Sequence, residues 1–348
     1  MDPATGGFES PLMCLRRGTT LGRAWLFENE EERELAFGGV GSETWSTGGV
    51  WCVRLALMEI SSETVRQLVR EQLPQWADLE VTPVLEQGND NRTFRLGDEL
   101  AVRVPSAQGY VAGITKEDLC LPVMARHLST DVPVPVATGM PSKEYPYPWS
   151  VRRWITGTTP DRDPDLNRVA LAKDLGVFMS ELRSVPPGDG PAAGAHSFYR
   201  GTHPSVYGDQ VQQALGQLAN QVDVEACQAI WNEALRTAWP LDPVWFHGDV
   251  APGNLLTDRG RLTAVIDFGT CGVGDPACDL VIAWTMFTEA ERSVFREAAA
   301  LPDDAWARGR GWALWKALVT LCHPPSNLHA HQARALEELV AEHRAAGR

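Results

Sequence analysis

The segment from Phe246 to Leu280, FHGDVAPGNLLTDRGRLTAVIDFGTCGVGDPACDL, holds three oxygen-bearing side chains in a fixed order: Asp249, Asn254 five residues later, and Asp267 thirteen after that. Phosphoryl transfer from a nucleotide needs such a set. One carboxylate takes or orients the proton of an attacking hydroxyl. Amide and carboxylate oxygens hold Mg²⁺, a hard cation, against the phosphates. Sites of this chemistry draw an Asp and an Asn from one loop and a second Asp from a following D-F-G turn. Here Asp267-Phe268-Gly269 is that tripeptide, and Asp249 to Asn254 has the D-x-x-x-x-N spacing.

The surrounding residues predict elements that would present these groups. Pro243 to His247 is a short apolar run that reads as a buried strand, and Gly248 permits a sharp turn after it. Pro252 and Gly253 keep the next stretch irregular, which puts Asn254 on a loop. Leu262 to Ile266 is rich in branched residues and ends at Asp267, and Asp258-Arg259-Gly260-Arg261 joins two strand-like runs as a hairpin turn would. Both carboxylates then lie at strand ends. Asp275-Pro276 has the composition of a helix start, with the carboxylate as cap and Pro at the first helical position.

These residues resemble the aminoglycoside phosphotransferase family, within the protein-kinase-like group that also holds choline, homoserine and fructosamine kinases. The family pattern H-G-D-x-x-x-x-N, I-D, G-D-P-x-x-D-L is met by His247-Gly248-Asp249, Asn254, Ile266-Asp267 and Gly274-Asp275-Pro276 through Asp279-Leu280. The resemblance implies that Asp249 is the catalytic base and that Asn254 and Asp267 are Mg²⁺ ligands. It implies structural support from His247, packed behind the loop, and from Asp275 and Asp279, the latter bracing the loop.

Upstream, Val81 to Glu86, Arg92 to Leu96 and Leu100 to Val104 read as three strands, with a turn at Gln87-Gly88-Asn89-Asp90-Asn91. A small polar tip of this kind can offer backbone N–H groups to phosphates, which makes Gly88 and Asn91 candidate nucleotide contacts. Arg103 stands in the third strand, where kinases place a phosphate-pairing Lys; Arg keeps the charge with a different geometry. Glu117 lies in KEDLCLPVMARHL, whose Leu119, Val123, Met124 and His127/Leu128 recur near helical spacing. The resemblance implies that this Glu pairs with Arg103. It also implies that backbone groups just before Gly157, near Arg153 and Ile155, meet the base of ATP or GTP.

The 348 residues suffice for two domains, and 44% hydrophobic residues suffice for substantial cores. No run of 18 apolar residues predicts a spanning helix. Seven Cys without a C-x-x-C pair or a secretory signal point to reduced thiols and a cytoplasmic enzyme, with Cys271 and Cys278 as packing residues. A net charge of −14 disfavours nucleic acid as partner and would favour a cationic acceptor.

Residues 1–57 carry nine Gly and three Trp without sustained helical or strand period. They read as a disordered or non-native extension before a natural start at Met58. A helical stripe of Val65, Leu68, Val69 and Leu73 follows a Ser-Ser start. From Arg162 on, helical patterns dominate: Leu171, Leu175, Phe178 and Leu182, then 209–237, 290–300, 305–321 and 328–346. Asp209, Glu225, Glu289 and Glu291 are candidate acceptor-pocket residues, and Trp312 and Trp315 read as core.

The expected fold is α+β, protein-kinase-like and two-lobed. A small antiparallel-sheet lobe (58–152) binds nucleotide, a hinge follows (153–157), and a mostly helical lobe (158–348) carries the catalytic loop and acceptor pocket. The implied activity is transfer of the γ-phosphate of ATP or GTP, with Mg²⁺, to the hydroxyl of a small molecule such as an aminoglycoside. A metabolic kinase acting on an amino alcohol or sugar, or a macrolide kinase, fits the same residues. Arg103 alone favours a catalytically weak nucleotide-binding protein.

Overall fold

The computed structural model describes residues 24–27, 42–47, 50–55, 60–85, 88, 90–323 and 329–347. Glu86, Gln87 and Asn89 of the expected turn lie outside the described residues. Two compact units are present: Met1–Ile114 with Ala137–Val151, and Thr115–Val136 with Arg152–Arg348.

In the first unit, β1 (Ala24–Phe27), β2 (Ser42–Thr47) and β3 (Val50–Leu55) form an antiparallel sheet in the order β1-β3-β2. The sequence pattern predicts no regular element there. At one end of the β2–β3 pairing Thr47 stands opposite Val50. Helix α1 (Ser62–Gln72) starts where Ser61 Oγ accepts from the Thr64 N–H at 3.0 Å, and it buries Val65, Leu68 and Val69. Strands β4 (Val81–Pro83), β5 (Asn91–Leu96) and β6 (Leu100–Pro105) follow, then helix α2 (Val111–Met124) and strands β7 (Pro135–Gly139) and β8 (Trp149–Arg153). The five strands form one sheet, ordered β4-β5-β6-β8-β7. Its apolar face meets α1 in a core that includes Leu68, Phe94, Val102, Tyr145, Trp149 and Val151.

The second unit takes in Thr115–Val136, which the sequence division assigns to the small lobe. The reason is packing. Cys120, Leu121, Met124 and Val132 join the larger core, and Asp131 exchanges backbone hydrogen bonds with Thr263 and Val265, each 3.0 Å. The expected apolar face of α2 is displaced for the same reason. Leu119 is 71% exposed and Val123 41%, while Glu117, Cys120 and Leu121 are buried.

Helix α3 (Arg168–Ser184), capped by Asn167, buries Leu171, Leu175, Phe178 and Leu182 as the spacing predicts. The region 209–237 is two helices, α4 (Gly208–Gln217) and α5 (Val224–Ala234). The break is set by Asp223, whose carboxylate accepts from the Ala226 N–H and caps α5.

Three short strand pairings position the site. Strand β9 (Val244–Phe246) precedes the loop of Asp249, β10 (Leu255–Asp258) and β11 (Arg261–Val265) form a hairpin, and β12 (Gly272–Gly274) returns antiparallel to β9. Arg259 and Gly260 both have positive φ, 48° and 76°, as a two-residue hairpin turn requires. After the 3₁₀ turn Pro276–Val281 come α6 (Ile282–Thr285), α7 (Glu289–Ala299), α8 (Asp303–Leu321) and α9 (His329–Ala345). Among the described residues no helix is long and apolar enough to cross a membrane.

Candidate active site

Strand β9 delivers the chain to Gly248, whose φ is 86°, and a Cβ there would stand 2.7 Å from the Thr270 carbonyl oxygen. Glycine is required on both counts. The turn is pinned from behind. Asp279 is buried and its two carboxylate oxygens accept from the backbone N–H groups of His247 at 2.8 Å and Gly248 at 2.7 Å. Burial pushes the Asp279 carboxyl up, against the opposing pull of these N–H donors. His247 is fully buried: Nδ1 accepts from the Asp249 N–H at 3.2 Å, and Nε2 lies 3.0 Å from the Ile266 carbonyl oxygen. A ring protonated on Nε2 satisfies both bonds, so the imidazole joins the Asp249 turn to the strand that leads to Asp267. Thr270 Oγ1 closes the arrangement by donating to the His247 carbonyl at 3.0 Å.

Asp275 supports the same turn from one step further away. It caps Pro276–Val281 by accepting from the Ala277 N–H at 3.0 Å, and it pairs with buried Arg308 at 2.6 Å. Cys271 and Cys278 are buried free thiols.

Asn254 connects the other two polar groups. Its Nδ2 donates to the Asp249 carbonyl at 2.9 Å, and its own carbonyl accepts from the Ile266 N–H at 2.9 Å. Because Nδ2 is engaged, Oδ1 is the atom left to act as a ligand. Asp267 holds a left-handed backbone, φ 65° and ψ 65°, uncommon for a residue with a side chain. Strain of this kind persists where neighbours over-determine it. Here the next residue, Phe268, is buried against His247 with ring centroids 4.5 Å apart, and its N–H donates to Glu117 Oε1 at 2.8 Å. Asp249, Asn254 and Asp267 are therefore brought together on one backbone frame.

Glu117, fully buried, also pairs with Arg152 at 3.2 Å, and Arg152 reaches Asp118 at 3.0 Å. Sequence reasoning missed Arg152. Its signal is weak but present: Trp149 to Arg152 are buried at four successive positions, and an Arg in such a run needs an acid. Arg103 lies in the other unit, in β6 opposite Thr93. Gly88 precedes β5 and Asn91, expected in the turn, is the strand's first residue, opposite Pro105; the Gly88 carbonyl accepts from Arg92 Nη1 at 2.6 Å, and Asn91 is buried. Arg153 ends β8 with its side chain exposed, and Ile155 follows it, half-buried.

The surroundings of the Asp249 carboxylate depart most from expectation. Lys316 of α8 pairs with Asp249 Oδ1 at 3.2 Å. Burial pushes the Asp249 carboxyl up, but Lys316 and Arg200 pull harder and hold it at about 2. A recess beside Asp249 is lined by Arg200, Val281, Trp312, Trp315 and Lys316. Trp312 is core, while Trp315 is half-buried and stacks on Tyr207 with centroids 4.0 Å apart, so it serves as a wall of the recess. None of the four candidate acids lines it. Glu291 forms a capping box with Thr288 at the start of α7 and pairs with Arg168 at 2.7 Å. Glu289, Asp209 and Glu225 sit in the first turns of α7, α4 and α5, where an acid favours the helix N-terminus. Lys316 had one sequence signal. It is one of four Lys in the chain and stands in an otherwise apolar stretch, ALWKALV.

Comparison with known proteins gives a consistent picture. An aminoglycoside 3′-phosphotransferase of Salmonella typhimurium is 32% identical over 135 residues, covering 34% of this chain and 44% of the relative. One from Escherichia coli is 27% identical over the same length and shares. The chain thus spans less than half the length of these curated relatives. Among solved structures, the GDP complex of aminoglycoside 2′-phosphotransferase-IIIa superposes with a TM-score of 0.59 at 19% identity, covering 81% of this chain and 99% of that one. A macrolide 2′-phosphotransferase from Brachybacterium faecium gives 0.52 at 20% identity, covering 80% and 97%. At these identities the structures show the fold, which is the α+β, protein-kinase-like, two-lobed architecture. The sequence model of the phosphotransferase enzyme family matches residues 81–318, a span that takes in the loop of Asp249, the D-F-G turn and Lys316, and the chain belongs to that family.

Proposed function

We propose that this chain transfers the γ-phosphoryl group of ATP or GTP to the hydroxyl of a small molecule. The observation that carries the reading is the convergence of Asp249, Asn254 and Asp267, tied through the Asp249 carbonyl, the Asn254 amide and the Ile266 N–H. In the reaction the acceptor oxygen forms a bond to phosphorus. The bond to the oxygen bridging the γ- and β-phosphates breaks, and the nucleoside diphosphate carries away that electron pair. The hydroxyl proton passes to Asp249 or onward from it.

The low Asp249 value, about 2, defines its role more closely. A carboxylate so stable as the anion is a weak base. It serves by accepting the hydroxyl hydrogen bond and aiming the oxygen, and it takes the proton only once phosphorus–oxygen bonding has made that proton acidic. A loose phosphoryl-transfer transition state asks for no more, and orientation can supply a large part of the rate.

The donor set fits Mg²⁺. Asn254 Oδ1 and the Asp267 carboxylate are hard oxygen donors, and two protein oxygens with the remainder from phosphate and water is the usual share for this ion. When bound, Mg²⁺ supplies charge neutralisation on the phosphates. Gly88, Asn91 and Arg103 are proposed to contact the nucleotide phosphates, and backbone groups near Arg153 and Ile155 the base. The relatives' names put aminoglycosides and macrolides among the acceptors to test, and metabolic alcohols belong beside them because acceptor pockets vary on a shared scaffold. The test is Mg²⁺-dependent nucleotide consumption against those three pools. Turnover with any pool supports the reading; absence of both turnover and Mg²⁺-nucleotide binding overturns it.

A further inference from the structure

The recess beside Asp249 is built with positive charge. Among the described residues that line it, Asp249 is the single acid, and Arg200 and Lys316 are the cations. An acceptor hydroxyl that hydrogen-bonds to Asp249 comes within roughly 3 Å of its carboxylate. Lys316 Nζ stands 3.2 Å from the same carboxylate. The accepting oxygen and the ammonium are therefore within about 6 Å of each other if the hydroxyl bonds Oδ1 and within about 8 Å if it bonds the other carboxylate oxygen, wherever the rest of the acceptor lies.

Arg200 is presented to this place by a well-held segment. Phe198 and Tyr199 both adopt left-handed φ, 50° and 55°. Two consecutive residues with side chains in that region need outside support. Ser197 Oγ donates to the carbonyl of Arg200 at 2.8 Å, and the Tyr207 hydroxyl donates to that of Phe198 at 2.7 Å. The guanidinium lies 5.5 Å from the Phe198 ring centroid and 5.7 Å from that of Trp315. Among the described residues it makes no ion pair. A half-buried Arg set against two aromatic faces, whose charge reaches Asp249 but whose fork of donors makes no ion pair among the described residues, suits a planar or tetrahedral oxyanion.

We infer that the acceptor carries an oxyanion, a carboxylate or a phosphate ester, close to its reacting hydroxyl, with Arg200 and Lys316 receiving that group beside the Trp315 ring. This rests on the phosphotransferase reading and narrows its substrate class away from polycations. A polyamine sugar would bring ammonium groups to within several ångströms of Lys316 and Arg200, where like charges repel. The overall charge of −14 attracts cations at long range, but the groups that line the recess decide what is held there.

The test uses the full chain with MgATP and one aromatic alcohol in matched forms: 4-(hydroxymethyl)benzoate, its phosphate-ester counterpart 4-(hydroxymethyl)phenyl phosphate, its amide, and 4-(hydroxymethyl)benzylamine. Binding is read by saturation-transfer NMR with a non-hydrolysable MgATP analogue, and kcat and KM by diphosphate release. The expected result is binding of one or both anionic forms at least tenfold tighter than the amine; which of the two wins tells carboxylate from phosphate. Arg200→Gln should raise KM for the anionic form about 10- to 100-fold, the span of a lost hydrogen bond to a charged group, with kcat changed far less. Lys316→Gln should raise that KM by a similar factor, with kcat also altered because the ammonium sits on Asp249, and Lys316→Arg should recover part of the loss in KM. Equal binding of all forms, preference for the amine, or no binding of any form while the MgATP analogue still binds would overturn the inference. So would a fall in kcat common to charged and neutral acceptors in Arg200→Gln, since that marks a role on the transferring phosphate. Failure of the analogue itself to bind would instead count against the phosphotransferase reading.

Discussion

Replacing Asp279 by Asn tests how the catalytic turn is held. The carboxylate accepts two backbone N–H bonds, from His247 and Gly248, in a buried place. Asn offers one acceptor oxygen and puts an NH₂ donor against the other N–H. One charge-assisted bond, worth about 1.5–3 kcal/mol, is lost, the other weakens to about 1 kcal/mol, and a buried N–H is left without an acceptor. Against this stands a gain. Burial pushes the Asp279 carboxyl up, so the folded state disfavours the ion that Asn removes. The net loss should be about 1–3 kcal/mol, a fall in Tm of roughly 3–9 °C. The larger effect should be on rate. Asp249 is two residues from His247, and a shift of about 1 Å in the group that aims the hydroxyl costs about 100-fold, so kcat should fall about that much with little change in nucleotide affinity. The pH dependence has a definite sign. A carboxyl raised on folding costs stability once pH passes its unfolded value near 4 and on up to its folded value. The wild type should lose that increment across the window, and the variant should not. The assays are a thermal melt at several pH values and steady-state kinetics. Wild-type kcat with an unchanged melt would refute the reasoning.

Other perturbations follow from single contacts. Arg308→Met leaves the buried Asp275 carboxylate without its 2.6 Å partner and should cost about 3–5 kcal/mol in chemical denaturation. Gly248→Ala forces a Cβ to 2.7 Å from the Thr270 oxygen at a φ of 86°, so it should lower kcat at least tenfold while the protein still folds; normal kinetics would contradict the account of the turn. Asn254→Ala should raise the Mg²⁺ concentration for half-maximal activity about 10- to 100-fold. With Asp249 held near 2 it stays ionised in the folded protein through the ordinary carboxylate range, and its contribution to stability, complete above about pH 4, is lost progressively as pH falls from there to about 2. Lys316→Gln should shrink that acid-dependent loss by bringing the folded value back toward the unfolded one, and a profile unmoved by the substitution would separate Lys316 from Asp249 electrostatically.

The part of the site that was legible in the sequence is the part made by short-range spacing. Asp249, Asn254 and Asp267 are set by one loop, one hairpin and one turn, each with its own Gly, Pro or branched-residue signature, so local pattern sufficed. Asp275-Pro276 was legible for the same reason. The helical stripes of α1 and α3 were legible because their buried residues recur at the helical period. Helix α2 was misread because its buried side is chosen by a charged residue. Glu117 turns inward to reach Phe268 and Arg152, and Leu119 is carried outward. No apolar periodicity reports that choice. Arg200 and Lys316 lie 49 and 67 residues from Asp249, and nothing in either neighbourhood names a carboxylate as the target. The strands within 24–55 escaped because glycines break up the pattern and the runs between them are only four to six residues long.

The central claim is that Asp249 aims an acceptor hydroxyl at a nucleotide phosphate. The most direct measurement compares wild type and Asp249→Asn for diphosphate release in the presence of the best acceptor, alongside MgATP affinity by calorimetry. The account predicts a loss of turnover of at least a thousandfold with MgATP affinity within a factor of about three. Turnover by the Asn variant near that of the wild type would contradict it.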